Sequence, residues 1–318
     1  MSEFVGYTFF YNWEVELITW LQSHLGPVGI SIASFFTMCG EELILTAVVG
    51  FIYWCYNKEM GRTVGLNLVT ATVWNPLIKN IFYRRRPYFD HKGIEGLRPV
   101  DADAPLLDIR HQGYSFPSGH STNSVAAYFS IYLNKRTQAL HILAVGMMLL
   151  IGFSRVCLGV HYPTDVICGW ALGFLTILVV SFLQKKIANR AVLYAILILT
   201  GIPGWFYCTT TDFYTSYGLL VGMCGGFLLE EKVIHFEPAE TVLQKILRLV
   251  IGLVLFLALV NLLKLPFSEE FLESGSFAAR LARTARYAVS GFITIGPYSM
   301  LFRPVRRLMT KNKTERNA

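Results

Sequence analysis

The chain has 318 residues, of which 53% are hydrophobic and 15% charged, with a mean hydropathy of +0.46. Water-soluble chains carry about 25% charged residues, so this balance excludes an ordinary soluble protein and points to a bilayer. The net charge of +7 and isoelectric point near 9.1 do not indicate nucleic acid, because the basic residues sit mostly in short segments between apolar runs, where a membrane protein uses them for orientation.

The N-terminal stretch MSEFVGYTFFYNWEVEL lacks the positive start, apolar middle and small-residue cleavage site of a signal peptide, and the first span is expected to act as an uncleaved insertion signal. From Trp13 to His24, apolar positions (Trp13, Val15, Leu17, Ile18, Leu21) alternate with polar ones (Glu14, Glu16, Gln22), which predicts a helix at the membrane surface. A first span follows over 27–38. Further apolar stretches cover 42–56, 63–83, 119–133, 138–157 and 163–184, then 191–208, 215–229, 242–263 and 286–302. At about 20 residues per crossing this amounts to roughly ten spans, several of them short. The expected fold class is all-α: a polytopic membrane protein with a six-helix core over residues 1–190 and about four additional spans over 191–318. Six scattered cysteines show no CxxC and no Cys/His metal spacing, and read as small hydrophobes.

Alternating the spans from a cytoplasmic N-terminus puts Lys58 and Arg62, Lys135 and Arg136, Lys185, Lys186 and Arg190, and Lys245 and Arg248 on the cytoplasmic side. The tail with Arg303, Arg306, Arg307, Lys311, Lys313 and Arg316 falls there too, in agreement with the positive-inside rule. The opposite side receives the longest polar loop, 84–116, although it carries Arg84, Arg85, Arg86, Lys92, Arg98 and Arg110. A connection of that length is more often a functional loop than a plain linker.

Three polar blocks lie at span ends on that same side. In KNIFYRRRP, the spacing from Lys79 to Arg86 is two helical turns, which predicts two cations on one helix face. In Pro117-Ser118-Gly119-His120, a proline suited to a first helical position and a glycine that permits close backbone approach predict a helix start able to receive an anion. In the third block, Ser154-Arg155 is followed by His161-Tyr162-Pro163-Thr164-Asp165, where Pro163 opens a helix and Asp165 is placed to fix the tautomer of His161. Cations, a hydroxyl, helix N-termini, a nucleophile with its carboxylate and a second histidine are what phosphoryl transfer without a metal requires.

Lys79-x6-Arg86-Pro87, Pro117-Ser118-Gly119-His120 and Ser154-Arg155-x5-His161-x3-Asp165 resemble the three-part signature of the type 2 phosphatidic acid phosphatase superfamily, with no departure at any signature position. The resemblance covers residues 26–184. It implies that His161 is the nucleophile forming a phosphohistidine, Asp165 its orienting partner, and His120 the acid that protonates the leaving group and later activates water. It implies further that Lys79, Arg86, Ser118, Gly119 and Arg155 hold the phosphate, that no metal or cofactor takes part, and that the site faces the extracytoplasmic side.

An interfacial site under apolar spans favours a lipid phosphate: an isoprenoid phosphate or diphosphate first, phosphatidate or a sphingoid phosphate close behind. Alternatives within the superfamily are a lipid phosphotransferase and a sugar-phosphate phosphatase. Vanadium-dependent haloperoxidases share the site as well, but they are soluble, and the membrane composition argues against that reading. A rival of another class is a lipid transporter, for which Glu230, Glu231 and the run Gly222–Gly226 leave room. Expected partners are the lipid substrate and membrane lipids, not nucleic acid. Outside the signature, Arg84 and Arg85 are expected to snorkel to headgroups or touch phosphate. Glu41 and Glu42 read as a solvated turn, or as residues that line the site or pair with a loop arginine. Asn75 is placed to steady Lys79, or forms part of a proline kink with Trp74 and Pro76. His111 is a weak site candidate, and Arg280, Arg283 and Arg286 are interfacial anchors or lipid-headgroup ligands.

Overall fold

The computed structural model describes residues 6–302, the Arg110 side chain excepted. The basic tail from Arg303 to Arg316, read above as cytoplasmic, lies outside the described residues. In chain order the helices are α1 (Asn12–Met38), α2 (Glu42–Phe51), α3 (Lys58–Phe82), α4 (Pro87–Asp90), α5 (Ile109–Gln112), α6 (Gly119–Ser124), α7 (Ser130–Lys135), α8 (Gln138–Cys157), α9 (Pro163–Lys186), α10 (Arg190–Gly201), α11 (Gly204–Tyr207), α12 (Thr211–Leu229), α13 (Val242–Leu262), α14 (Glu269–Glu273) and α15 (Phe277–Ile295). Single π-helical turns follow α2, α6 and α12. Among the described residues the extended backbone amounts to an isolated bridge between Tyr7 and Arg84, and the protein is an all-α integral membrane protein.

The surface helix and first span form one element, α1, broken at Gly26, whose φ of +57° a glycine adopts without strain, and by Pro27 behind it. Four stretches are long and apolar enough to cross a membrane: α8, α9, the run Arg190–Tyr207 and α13; a fifth is the bent pair Asn12–Met38 and Glu42–Tyr56, which turns by 48°. Fewer helices meet that measure than the roughly ten expected. The shortfall has a physical cause. α3 carries the buried Asn67, Thr70, Asn75, Lys79 and Asn80, and α15 the buried Thr284, Arg286, Ser290 and Thr294; α6 and α7, parted by a π turn, are each too short. Helices that face protein lose apolarity that lipid-facing helices must keep.

The chain divides into two compact units: residues up to 46 with 64–186 and 200–213, and residues 47–63 with 187–199 and 214 onward. In the first unit α1 packs along α8, and Ile18, Leu21 and Ala33 of α1 join Val156, Leu158, Val160, Tyr162 and Val166 in one buried cluster. α6 packs against α9 at two glycines one turn apart. A Cβ on Gly169 would stand 2.6 Å from the Ser118 carbonyl oxygen, and one on Gly173 2.6 Å from Val125 Cβ. Helices in lipid associate through such small residues because no hydrophobic drive separates them from the acyl chains.

In the second unit α12 offers the same device to α15. Cβ atoms on Gly218 and Gly222 would fall 2.4 Å from the Thr284 carbonyl oxygen and 2.1 Å from that of Ala288. The glycine run that left room for a transport reading is thus a packing seam. Glu230, fully buried, takes Lys58 at 2.7 Å and Arg62 at 3.1 Å, and Glu231 lies 3.4 Å from Arg190. Of the arginine series on α15, Arg286 donates to the Val260 carbonyl at 2.9 Å, in the last turn of α13, where a cation also meets the negative end of the helix dipole. Arg280 stands over the Tyr214 ring at 5.4 Å.

The α6–α9 contact yields a paired test. Gly169→Ala is expected to lower the thermal midpoint of the detergent-solubilised protein, with a destabilisation of about 1–3 kcal/mol. Gly146→Ala on α8, where a Cβ would meet nothing within 4 Å, is expected to leave the midpoint unchanged or raise it. Equal responses would refute the packing account.

Candidate active site

The three blocks converge in the first unit. α9 opens at Pro163 as expected, which puts Asp165 in its first turn. The Asp165 carboxylate reaches back one turn: Oδ2 accepts the Tyr162 backbone N–H at 2.8 Å and lies 3.3 Å from His161 Nδ1. The other ring nitrogen, Nε2, lies 3.3 Å from Arg86 Nη1. A guanidinium is always a donor, so Nε2 is the acceptor and the proton sits on Nδ1, pointing at the carboxylate.

Arg86 reaches this place by a route other than the expected one. The two-turn spacing from Lys79 suggested a shared helical face, but α3 ends at Phe82 and Tyr83 turns the chain in a left-handed conformation, φ +48°. Arg86 then adopts an extended backbone, ψ 156°, ahead of Pro87 at the start of α4, as a residue before proline must. Its guanidinium is held by backbone carbonyls: Nε donates to Gln112 at 2.8 Å and Gly113 at 3.1 Å, and Nη1 to Val160 at 2.9 Å. The long loop is therefore an ordered frame for one cation. Gln112, itself fully buried, ties the loop together by accepting from the Val100 N–H at 2.9 Å and donating to the Asp101 carbonyl at 2.7 Å.

The second block needs a smaller correction. Pro117 does not open the helix; it lies one residue ahead of the cap, and Ser118, in an extended conformation, caps α6 with its hydroxyl facing the Ser121 N–H. The Ser118 N–H donates to the Asp165 backbone carbonyl at 3.0 Å, which fixes the second block to the third. A Cβ on Gly119 would meet only Asn75 Oδ1, at an ordinary 3.6 Å, so protein packing does not require the glycine. Asn75 does not steady Lys79. Its amide donates to the Pro117 carbonyl at 3.2 Å and to Thr122 Oγ1 at 3.1 Å.

Lys79 and Arg155 complete the cationic group. Arg155 donates to Thr37 Oγ1 at 2.8 Å, and its Nε is buried with no partner within the protein. Lys79 Nζ lies 3.6 Å from Asp212, a carboxylate 40% exposed that the signature does not include. His161 lies within the electrostatic reach of Arg86, Arg155, Lys79 and His120; burial first, then these positive neighbours, holds its imidazole well below the usual histidine range. Among the described residues no three His, Cys, Asp or Glu side chains come together as metal ligands.

Several polar residues outside the signature make other contacts. Arg84 neither snorkels nor joins the cationic group: Nη1 donates to Asp165 Oδ1 at 2.7 Å and Nη2 to Glu14 Oε2 at 3.0 Å. Arg85 pairs with Asp90 at 2.5 Å and with Thr8, Glu41 with Arg98 at 2.6 Å, and His111 with Asp108 at 3.1 Å. Glu14 is the residue that sequence reasoning misplaced. Alternation puts it on the polar face of α1, yet it stands four residues before Ile18 and seven before Leu21, and all three are buried. A carboxylate on the apolar stripe was the available signal.

Comparison with known proteins gives a consistent result. The family described as PAP2 superfamily matches residues 61–188, and that described as PAP2 superfamily phosphatase, transmembrane extension, matches residues 214–311. Phosphatidylglycerophosphatase B of Bacillus subtilis is 34% identical over 155 residues, covering 46% of this chain and 68% of its own. Undecaprenyl-diphosphatase of Sulfolobus acidocaldarius is 28% identical over 156 residues, covering 49% and 68%; undecaprenyl-diphosphatase BcrC of Bacillus subtilis is 29% identical over 160 residues, covering 49% and 75%. No solved structure matches.

The depressed pKa of His161 has a direct readout. In protein carrying ring-labelled histidine, the His161 resonance is expected to titrate below 6.5, the ordinary histidine value. Removing a positive neighbour in Arg86→Met should move the midpoint upward. A midpoint above 6.5 in the unaltered protein would contradict the burial argument.

Proposed function

The chain belongs to the PAP2 superfamily, and from that premise we propose that it releases phosphate from a membrane lipid through a phosphohistidine on His161. The observation that carries this reading is the His161 ring: one nitrogen is directed at the buried Asp165 carboxylate and the other at the Arg86 guanidinium, where a phosphate oxygen would sit. In the first step Nε2 attacks phosphorus, the P–N bond forms, the ester P–O bond breaks, and His120 gives its proton to the departing oxygen. In the second, His120 takes a proton from water, the water oxygen attacks phosphorus, and the P–N bond breaks to return His161.

The dianion would be held by Arg86, Arg155, Lys79, the Ser118 hydroxyl and the free N–H groups at the start of α6 around Gly119. Two features support these assignments: the unpartnered Nε of Arg155 and the open approach to Gly119. Charge for the transition state comes from side chains in this scheme, and no metal or cofactor is invoked. The chemistry belongs to residues 1–190, with 191–318 as the attached transmembrane extension.

The substrate class follows the relatives, whose names describe phosphatidylglycerophosphatases, undecaprenyl-diphosphatases, a lipid A 1-phosphatase and a decaprenylphosphoryl-5-phosphoribose phosphatase. All are lipid phosphates. Among them we favour an isoprenoid phosphate or diphosphate, with glycerolipid and sphingoid phosphates next. The basic segments around Lys58, Lys135, Lys185 and Lys245 favour a site on the extracytoplasmic side and cytoplasmic termini, by the positive-inside rule.

The deciding experiment is phosphate release by detergent-purified protein in excess chelator, from prenyl diphosphate, phosphatidate, a sphingoid phosphate and glucose 6-phosphate. Release that resists the chelator and disappears in His161→Ala is the expected outcome, and the preferred compound names the substrate class. Release that requires added metal, or that survives without His161, would overturn the mechanism.

A further inference from the structure

We propose that Glu14 on the N-terminal helix α1 is a positioning residue for His161, acting through Arg84 and Asp165. This rests on the phosphohistidine reading above and extends it to two residues outside the signature.

The contacts form an unbroken chain. Asp165 presents Oδ2 to His161 Nδ1 and Oδ1 to Arg84 Nη1, 2.7 Å away. The opposite edge of the same guanidinium, Nη2, meets Glu14 Oε2 at 3.0 Å. Neither acid is exposed at all, and Arg84 is 1% exposed. Arg84 is fixed in rotation as well, since Nε donates to the Phe9 carbonyl at 2.8 Å and the guanidinium lies between the Tyr162 ring, 4.0 Å away, and the Phe9 ring, 4.5 Å away. Glu14 is held in turn by the Thr164 N–H at 3.0 Å, the Thr164 hydroxyl at 2.7 Å and the Tyr11 N–H at 2.9 Å.

The charge balance gives this arrangement a purpose. Arg84 alone against Asp165 would neutralise the carboxylate and weaken its hold on the imidazole proton. A second carboxylate on the same guanidinium leaves the trio with one net negative charge, directed at Nδ1. When Nε2 bonds to phosphorus the ring becomes cationic, and that surplus charge stabilises it in a water-poor setting where Coulombic effects are large. Arg86, Arg155, Lys79 and His120, the neighbours that bear most on His161, oppose its positive charge. The trio behind Nδ1 is the counterweight.

The simpler reading is that Glu14 only caps α1, where it occupies the third helical position. Glutamine serves that position equally well, so Glu14→Gln keeps the cap and removes the charge. In the phosphate-release assay with the full chain, Glu14→Gln is expected to lower kcat by about tenfold or more, the scale seen when outer partners of a site are lost, with KM within about twofold. Because less negative charge stabilises the imidazolium, the acidic limb of kcat/KM should also move to lower pH. Glu14→Asp, which keeps the charge, should hold the limb in place. Unchanged kcat and limb in Glu14→Gln, alongside loss of activity in His161→Ala, would sink this proposal and leave the phosphohistidine reading standing; activity surviving in His161→Ala would sink that reading itself. If Glu14→Gln does not fold, Arg84→Lys decides. A lysine cannot bridge both acids in one plane, so a similar kcat loss is expected, and wild-type kcat would overturn the proposal.

Discussion

A guanidinium clamped between two buried carboxylates is the constraint on which the functional end of the first unit depends. Arg84 joins Glu14, from the start of the chain, to Asp165, 151 residues further on by number. Burying ions costs several kcal/mol each, and removing one member of such a group strands its partners at about 3–5 kcal/mol. Alternative placements of α1, of the loop after α3 and of α9 are therefore penalised together, because each would leave an unpaired charge away from water. The Tyr7–Arg84 bridge and the Ser118–Asp165 bond are the weaker contacts that this clamp makes coherent.

How much of this was legible in the sequence follows from which contacts are local. His161 and Asp165 are four residues apart on the approach to one helix, and their relation could be read directly from spacing. Periodicity failed for Lys79 and Arg86, because a left-handed residue at Tyr83 ends the helix between them; Pro87 signals that Arg86 is not helical, but nothing in KNIFYRRRP marks where the helix stops. The three consecutive arginines are chemically alike; only the fold sends Arg84 to the acids, Arg85 to Asp90 and Arg86 to His161. Glu14 and Asp212 meet their partners across separations at which no period connects residues. Glu14 alone left a local trace, a charge on an apolar stripe.

The same distinction explains the span count. Hydropathy measures what a helix shows to lipid, and α3 and α15 bury polar side chains against protein instead, while a π turn cuts the stretch at 119–135 into short helices. In the second unit, Gly218 and Gly222 bring α15 to backbone contact with α12, while Lys58 and Arg62 neutralise Glu230. Features that suggested a transport path in the sequence are thereby occupied by packing and by charge pairing within that unit.

The three cations proposed to bind phosphate are not equivalent, and their differences suit the steps required of them. Arg86 is fixed by backbone carbonyls on two sides of its guanidinium, so it can orient a phosphate oxygen with little reorganisation. Arg155 is anchored at Nη1 by Thr37 and keeps an unpaired Nε, a donor whose burial is unfavourable until an anion arrives. Lys79 has only a long contact, 3.6 Å, to a half-exposed aspartate. Lys79 is buried and Asp212 half-exposed, so an incoming dianion can take over as the lysine's counter-charge while the Asp212 carboxylate turns to water. Two fixed donors and one exchangeable one give a site that is organised before the substrate arrives, yet able to keep Lys79 paired between turnovers.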